Sequence, residues 1–82
     1  MPIVTNKALT ENWIGIIENT NSQIQEIEKE LEDQIKELCS GSITPDRKKK
    51  LKEEVDENIF DIEDLKKYVI MFKKKIIKLR EE

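Results

Sequence analysis

Basic and apolar side chains alternate between residues 66 and 80 in a pattern that could bind anions. The basic residues of this segment are Lys66, Lys67, Lys73, Lys74, Lys75, Lys78 and Arg80. On a helix they would form a basic amphipathic surface, of the kind that binds nucleic-acid phosphates or anionic membranes. A simpler interpretation is that Val69, Phe72 and Ile76 belong to a helical core, while the lysines keep the outer surface in water. We favour this second interpretation and keep anion binding as an alternative function.

The rest of the chain offers few side chains that suit catalysis. It has no histidine, no glycine-rich loop and a single cysteine, Cys39. A histidine base, a phosphate-binding loop and a zinc site are therefore not expected. The carboxylates occur in alternating charge runs, without the spacing of a catalytic pair or a calcium loop. We predict a protein that is not an enzyme and has no cofactor, metal or small-molecule substrate, with Cys39 as a small buried thiol.

Two apolar stripes with helical spacing predict an all-α fold. The first consists of Leu9, Trp13, Ile17, Thr20, Ile24, Ile27, Leu31, Ile35 and Leu38. The second consists of Leu51, Val55, Ile59, Ile62, Leu65, Val69, Phe72, Ile76 and Leu79. Steps of three and four residues place each set on one face of a helix with 3.6 residues per turn. The chain is therefore expected to form two long amphipathic helices.

A helix-ending glycine and a helix-starting segment with an N-cap and a proline separate the two stripes. Gly41 can adopt the left-handed conformation that ends a helix. Thr44, Pro45 and Asp46 then supply an N-cap hydroxyl, a proline suited to the first turn and a carboxylate near the positive end of the helix dipole. We predict one domain over residues 1–82, with helix one at about 10–39, a turn at about 40–44 and helix two at about 45–80. The helices should pack as an antiparallel, coiled-coil-like hairpin.

The hairpin register follows from pairing positions whose numbers add up to about 86. This register pairs Ile35 with Leu51, Leu31 with Val55, Ile27 with Ile59, Ile24 with Ile62, Ile17 with Val69, and Trp13 with Phe72. It also brings an acidic run beside a basic run, which is the flanking-charge pattern of paired helices. The acidic run is Glu26, Glu28, Glu30, Glu32 and Asp33, and the basic run is Arg47, Lys48, Lys49, Lys50 and Lys52.

Residues 19–22 are the weakest part of the predicted first helix. Asn19, Thr20, Asn21 and Ser22 all have low helix propensity, and Ser22 has the spacing of a capping box with Gln25. The sequence leaves open whether helix one is continuous or is broken into one segment near 10–18 and another from residue 23 onward.

Several apolar residues predict a second contact surface outside the hairpin core. Ile14, Ile59, Ile70 and Ile77 widen the apolar arc beyond what one partner helix covers, so we assign them to an oligomer or partner interface. On the opposite face, Phe60 and Met71 form a possible second contact. Two helices alone bury only a thin core. The expected assembly is therefore a homodimer that forms a four-helix bundle.

These features favour a non-enzymatic protein–protein interaction module that associates with itself and with another protein, as a scaffold, adaptor or regulator. The alternatives are a nucleic-acid or anionic-membrane binder and a small subunit that is stable only in a larger hetero-complex. No stretch reaches the roughly 20 apolar residues that cross a bilayer, and residues 1–4 lack the character of a signal peptide. We therefore expect a cytoplasmic location, or a nuclear or viral intracellular one.

Overall fold

The computed structural model describes residues 6–81, with side chains for residues 6–79, and shows a hairpin of two helices. Helix α1 spans Asn6–Leu38 and helix α2 spans Pro45–Glu81. The helices pack against each other in opposite directions, and the described residues contain no strand. The all-α hairpin predicted from the two apolar stripes is thereby confirmed. Helix α1 begins at Asn6 rather than near residue 10, because the helical hydrogen bonding continues for another turn toward the N-terminus.

The hairpin is a rod. Its principal extents are 61, 19 and 16 Å, and its radius of gyration is 18.6 Å. A compact globular chain of this length would have a radius of gyration of about 12 Å. We call the end formed by residues 39–44 the turn end, and the end where α1 begins and α2 ends the open end.

The connection between the helices has the geometry that its residues predict. Gly41 has a φ angle of 75°, a left-handed conformation that a residue with a Cβ atom adopts only with strain. Thr44 caps α2, because its hydroxyl oxygen accepts a hydrogen bond of 3.3 Å from the backbone N–H of Arg47. The roles expected for Gly41 and for Thr44 are both confirmed.

Helix α1 continues without interruption through residues 19–22. The Thr20 hydroxyl donates a hydrogen bond of 2.7 Å to the carbonyl oxygen of Ile16, and the Ser22 hydroxyl donates one of 3.1 Å to that of Glu18. These bonds satisfy the two hydroxyl groups within the helix instead of competing with it. The broken-helix alternative is therefore wrong.

The core of the hairpin is a single line of side chains between the helices. Ile24, Ile62 and Val69 form its buried centre, and the partly buried residues packed against them are Ile17, Ile27, Leu31 and Leu65. Toward the open end the Trp13 and Phe72 rings lie 6.3 Å apart, as the register predicts. The cluster shows that the two apolar stripes meet along most of the rod.

Two isoleucines that the stripes place in the core lie outside it. Ile35 is 47% exposed and Ile59 is 42% exposed, so the assignment of these two residues to the buried core, where Ile35 was to face Leu51 and Ile59 was to face Ile27, is wrong. Gln34, only 8% exposed, and the half-buried Asn58 occupy the core instead.

The physical reason is the spacing of the core positions. A strict alternation of three and four residues runs through positions 31, 34 and 38 in α1 and through 55, 58 and 62 in α2. The amides at the two polar positions satisfy each other, because Asn58 Nδ2 donates a hydrogen bond of 2.9 Å to Gln34 Oε1. This bond removes the cost that either amide would have if it were buried alone.

Candidate interaction surface

One side of the rod carries a row of exposed isoleucines that extends over both helices. Ile14, Asn21, Glu28 and Ile35 follow one another in steps of seven on α1, so they share one face beside the core. On α2 the same side of the rod carries Ile59, Lys66, Ile70, Lys73 and Ile77. We call this surface the isoleucine face, after its five isoleucines.

The isoleucine face is concave. A groove of about 410 Å³ runs along its middle, with Ile24 and Val69 of the core at its floor and Asn21, Lys66 and Ile70 along its walls. A second groove, of about 290 Å³, continues toward the turn end. It shares Glu28 and Lys66 with the first groove and adds Leu31, Ile59, Ile62 and Glu63. The two grooves give the face a continuous trough that reaches down to the core.

The five isoleucines of this face are unusually exposed for their type. Each of them is between 42% and 57% exposed. They account for five of the eight large apolar side chains that are exposed in the described part of the chain. Isolated exposed apolar residues are normal, but five isoleucines on one side of a rod, interleaved with polar residues, mark that side as the candidate interaction surface.

The sequence predicted four members of this surface and missed the fifth. Ile59 and Ile70 line the two grooves, and helical spacing puts Ile14 and Ile77 on the same side, seven residues from Asn21 and Ile70. That these four isoleucines form an interface stays a prediction. Hydrophobicity alone predicts Ile35 in the core, because it is the apolar neighbour of the polar core position 34. The strict spacing of core residues, which selects Gln34, was the signal that would have identified it.

The predicted second contact lies on the outer side of α2, away from α1. Phe60 is 67% exposed, and Met71 is also exposed. The two residues are eleven positions apart, which brings them to the same side of the helix three turns apart. Neither residue lines the trough of the isoleucine face. Tyr68 is exposed as well, but its ring lies 5.3 Å from that of Phe72 and covers the core.

The predicted anion-binding residues cluster near the open end. The lysines whose side chains are described, Lys66, Lys67, Lys73, Lys74, Lys75 and Lys78, are all exposed. The side chain of Arg80 lies outside the described residues. Lys66 and Lys73 line the trough, whereas Lys75 Nζ lies 5.9 Å from the ring centre of Trp13 and 5.2 Å from that of Phe72. Lys75 therefore has a structural contact of its own, of the cation–π type.

The two ends of the rod differ in charge. Residues 23–65, which form the turn half, contain seven basic and fourteen acidic residues, for a net charge of −7. The remaining residues contain eight basic and four acidic residues, for a net charge of +4. The overall charge of −3 therefore hides a basic open half and an acidic turn half.

Ion pairs between the helices are fewer than the charge runs suggested. Within residues 6–79, Arg47 pairs with Glu37 at 3.0 Å across the turn, and Lys36 pairs with Glu32 along α1. The hydrogen bond from the Arg47 guanidinium, together with its positive charge, lowers the pKa of Glu37 below the usual carboxyl value of 4.5. No ion pair in this range joins the predicted acidic run of α1 to the basic run of α2. The expected flanking-charge pattern is thus not built on direct ion pairs within this range, and Arg47 pairs instead with Glu37, which lies beyond the acidic run.

Cys39 also differs from its prediction. Its thiol is exposed at the turn end rather than buried. Residue 39 follows the last residue of α1, and its side chain is beyond the reach of the core, which ends at Leu38 on this helix.

Comparisons of this chain with protein-family models, curated proteins and solved structures found no match. Within the described range, neither helix is both long and apolar enough to cross a bilayer. The same residues contain no group of three or more histidine, cysteine or acidic side chains that could hold a metal ion. The isoleucine face and the charge distribution are therefore the features of the described residues that bear on function.

Proposed function

We propose that this protein is a non-enzymatic protein–protein interaction module that associates with itself through the isoleucine face and acts inside the cell as a scaffold, adaptor or regulator. The observation that carries the proposal is the row of five half-exposed isoleucines along one concave side of the rod. Two hairpins joined through this face would form a four-helix bundle.

The thin core of the hairpin supports the proposal. Only five apolar side chains of the described residues are buried, namely Ile24, Leu51, Ile62, Val69 and Phe72. Ordering the backbone costs roughly 1–2 kcal/mol per residue, which so few buried side chains offset poorly. A second hairpin on the isoleucine face would convert the line of core residues into a core enclosed by four helices.

The size of the face sets the expected strength of association. Burying the exposed half of an isoleucine contributes about 1 kcal/mol, so the ten isoleucines of two copies contribute on the order of 10 kcal/mol. Association costs an estimated 4–15 kcal/mol in lost freedom of motion. The two quantities are of similar size, so we expect a dimer whose population depends on concentration rather than an inseparable one.

The absolute mass of the chain in solution tests this proposal. Light scattering coupled to size exclusion is expected to show twice the chain mass of 9.7 kDa at high concentration. The double variant Ile70→Asp with Ile77→Asp is expected to elute as a monomer with its helical circular dichroism retained, because two carboxylates would be desolvated in the interface.

The matched control is Phe60→Asp with Met71→Asp, which adds the same two charges to the outer side of α2. This control is expected to keep the mass of the dimer. A dimer that persists in the Ile70 and Ile77 variant would show that the copies meet elsewhere. A wild-type monomer at all concentrations would exclude self-association and favour the alternative of a small subunit that docks in a hetero-complex.

A second candidate function, the binding of a nucleic acid or an anionic membrane, is favoured by one observation. The six described lysines of residues 66–78 are exposed, and neither ion pair within residues 6–79 includes any of them. A cluster of unneutralised lysines at one end of an acidic protein is a local site of positive potential.

Salt dependence tests this second candidate. Duplex DNA, RNA and phosphatidylserine vesicles are expected to bind at low salt and to dissociate steeply as salt rises, because counterions compete for the phosphates. Changing Lys73, Lys74 and Lys75 to Glu should abolish binding. The same change at Lys48, Lys49 and Lys50, at the acidic turn end, should have a much smaller effect. Absence of binding at low salt, or equal losses in the two triple variants, would count against this function.

A further inference from the structure

Three aromatic rings meet near the open end of the rod. Phe72 is buried, and its ring centre lies 6.3 Å from that of Trp13 on α1 and 5.3 Å from that of Tyr68 on α2. The two outer rings are not enclosed, because Trp13 is only partly buried and Tyr68 is exposed. Tryptophan and tyrosine side chains that remain partly in water are enriched where proteins contact other molecules.

Trp13 lines a cavity that also contains cations. The cavity has a volume of about 270 Å³, and its other lining residues are Lys75, Lys78 and Leu79. Sites for drug-sized ligands begin at about 300 Å³, so this cavity suits a single ring system. Lys75 is held over the aromatic rings, because its Nζ lies 5.9 Å from the ring centre of Trp13 and 5.2 Å from that of Phe72. An indole ring and a pre-positioned ammonium group thus line one opening.

The surface around this cavity is basic. Residues 65–80 contain seven basic residues and no aspartate or glutamate. Tyr68 and Lys75 are seven positions apart, so they share one side of α2, and three further lysines lie within about 100° of that side. We call this surface the Trp13 surface, and its residues are Trp13, Lys67, Tyr68, Lys74, Lys75 and Lys78.

The Trp13 surface lies away from the isoleucine face. Lys75 and Ile77 are two positions apart on α2, which places them about 200° apart around the helix. On α1, Glu11 and Glu18 stand three positions before and four positions after Ile14, so both acids lie on the side of the isoleucine face. The acids of α1 in the open half therefore do not neutralise the lysines of the Trp13 surface.

This combination of side chains fits a single-stranded nucleic acid. Proteins bind single strands through basic residues that follow the phosphates and aromatic residues on which the bases stack. From Lys67 to Lys78 the helix rises about 16 Å, which is the length of about five nucleotides at 3.4 Å per phosphate. A duplex also offers phosphates, but its bases are stacked on one another and do not reach an aromatic side chain.

An anionic membrane fits the same observations less well. A basic amphipathic helix binds a membrane by burying its apolar face at the headgroup boundary. In α2 that face is already used, because Val69 and Phe72 are buried in the hairpin core. Ile70 and Ile77 remain exposed, but they lie on the isoleucine face. A membrane bound there would leave the cavity of Trp13 uncovered.

We propose that the Trp13 surface binds single-stranded nucleic acid, with one base against the indole of Trp13 and the neighbouring phosphates on the four lysines of this surface. The inference rests on the second candidate function, and it adds the class of ligand, the contact with a base and the side of the rod that binds. It does not depend on self-association, because the isoleucine face lies on another side of the rod.

The fluorescence of Trp13 tests the contact with a base, because this residue is the only tryptophan of the chain. A short oligothymidine at low salt is expected to quench the emission, whereas a short duplex at the same phosphate concentration should leave it nearly unchanged. Trp13→Leu keeps an apolar side chain in the core but removes the ring. In this variant the affinity for labelled oligothymidine, measured by anisotropy, should fall about 5-fold to 150-fold, which corresponds to about 1–3 kcal/mol per stacked base.

Matched lysine variants that leave Trp13 in place locate the site. Lys75→Gln with Lys78→Gln removes the two lysines of the cavity, and Lys66→Gln with Lys73→Gln removes two lysines of the trough on the same helix. The first pair should reduce the slope of log affinity against log salt concentration by about 1.4, because each phosphate contact on a single strand contributes about 0.7. The second pair should change the slope far less. Equal losses in the two pairs would overturn the placement of the site.

The outcomes separate this proposal from the function on which it rests. Quenching by oligothymidine that falls in the variant of Lys75 and Lys78 and persists in that of Lys66 and Lys73 supports the proposal. Binding without a change in emission, or equal affinity for the duplex, overturns it and leaves the second candidate function in place. Phosphatidylserine vesicles that shift the emission to shorter wavelength, when oligothymidine does not change it, have the same consequence. Absence of binding to all three probes at low salt would refute the second candidate function as well.

Discussion

Replacing Ile62 with alanine is expected to lower the free energy of unfolding by about 2–5 kcal/mol. Ile62 is 8% exposed and belongs to the buried centre of the hairpin, where it packs with Ile24 and Val69. The substitution removes three carbon atoms from the one cluster that joins the middle of both helices. The remaining side chains belong to two continuous helices, so they cannot move far enough to fill the space. Urea unfolding followed by circular dichroism would measure the loss.

The control for this substitution is Phe60→Ala, two residues earlier on the same helix. Phe60 is a larger side chain, but it is 67% exposed on the outer side of α2. Its removal should change the free energy of unfolding by no more than about 0.5 kcal/mol. Both measurements need the same chain concentration, because the proposed dimerisation would add to the apparent stability. Equal losses in the two variants would contradict the assignment of Ile62 to the core and of Phe60 to the solvent-exposed side.

The hairpin itself could be predicted because its main determinants are local. The apolar period of α2, the left-handed Gly41 and the cap at Thr44 each depend on residues close together in the chain. Helix α1 is also predictable as an amphipathic helix, but its continuity at residues 19–22 was not. Helix propensity treats Thr20 and Ser22 as weak points, whereas in the folded helix their hydroxyls bond to carbonyl oxygens one turn earlier.

The exact rotation of the helices could not be predicted from apolar residues alone. Polar Gln34 and Asn58 stand directly before Ile35 and Ile59, and an assignment based on hydrophobicity places the isoleucines in the core. The structure makes the opposite choice at both positions, since the two amides bond to each other inside the core. The burial of Gln34 cannot be predicted without that of Asn58, because the side-chain amide of each is satisfied only by its partner on the opposite helix. Such a cross-helix pair leaves no local signal beyond the spacing.

Changing Gln34 and Asn58 together to leucine is expected to raise the free energy of unfolding by about 2–4 kcal/mol. Leucine at the buried position 34 contributes roughly 1.5–3 kcal/mol and leucine at the half-buried position 58 about half as much, while the lost hydrogen bond contributes only about 0.5–1.5 kcal/mol. Asn58→Ala alone should have the opposite sign and cost about 1–3 kcal/mol, because it leaves the buried Gln34 amide without its donor. Thermal unfolding at fixed concentration would measure both changes.

The stabilised double-leucine variant should also lose structural uniqueness. With leucine at 34 and 58, each position and its isoleucine neighbour are equally apolar, so the helices can rotate to bury either pair. In the wild type, rotation toward Ile35 and Ile59 would break the hydrogen bond between the two side-chain amides and remove both isoleucines from the isoleucine face. A single polar pair can fix the alignment of helices in this way at a cost in stability. We therefore expect broadened or doubled amide resonances in the double variant, and a lower affinity in the proposed self-association. A more stable variant with a single sharp set of resonances and unchanged mass would show that the turn and the apolar stripes fix the rotation without the amide pair.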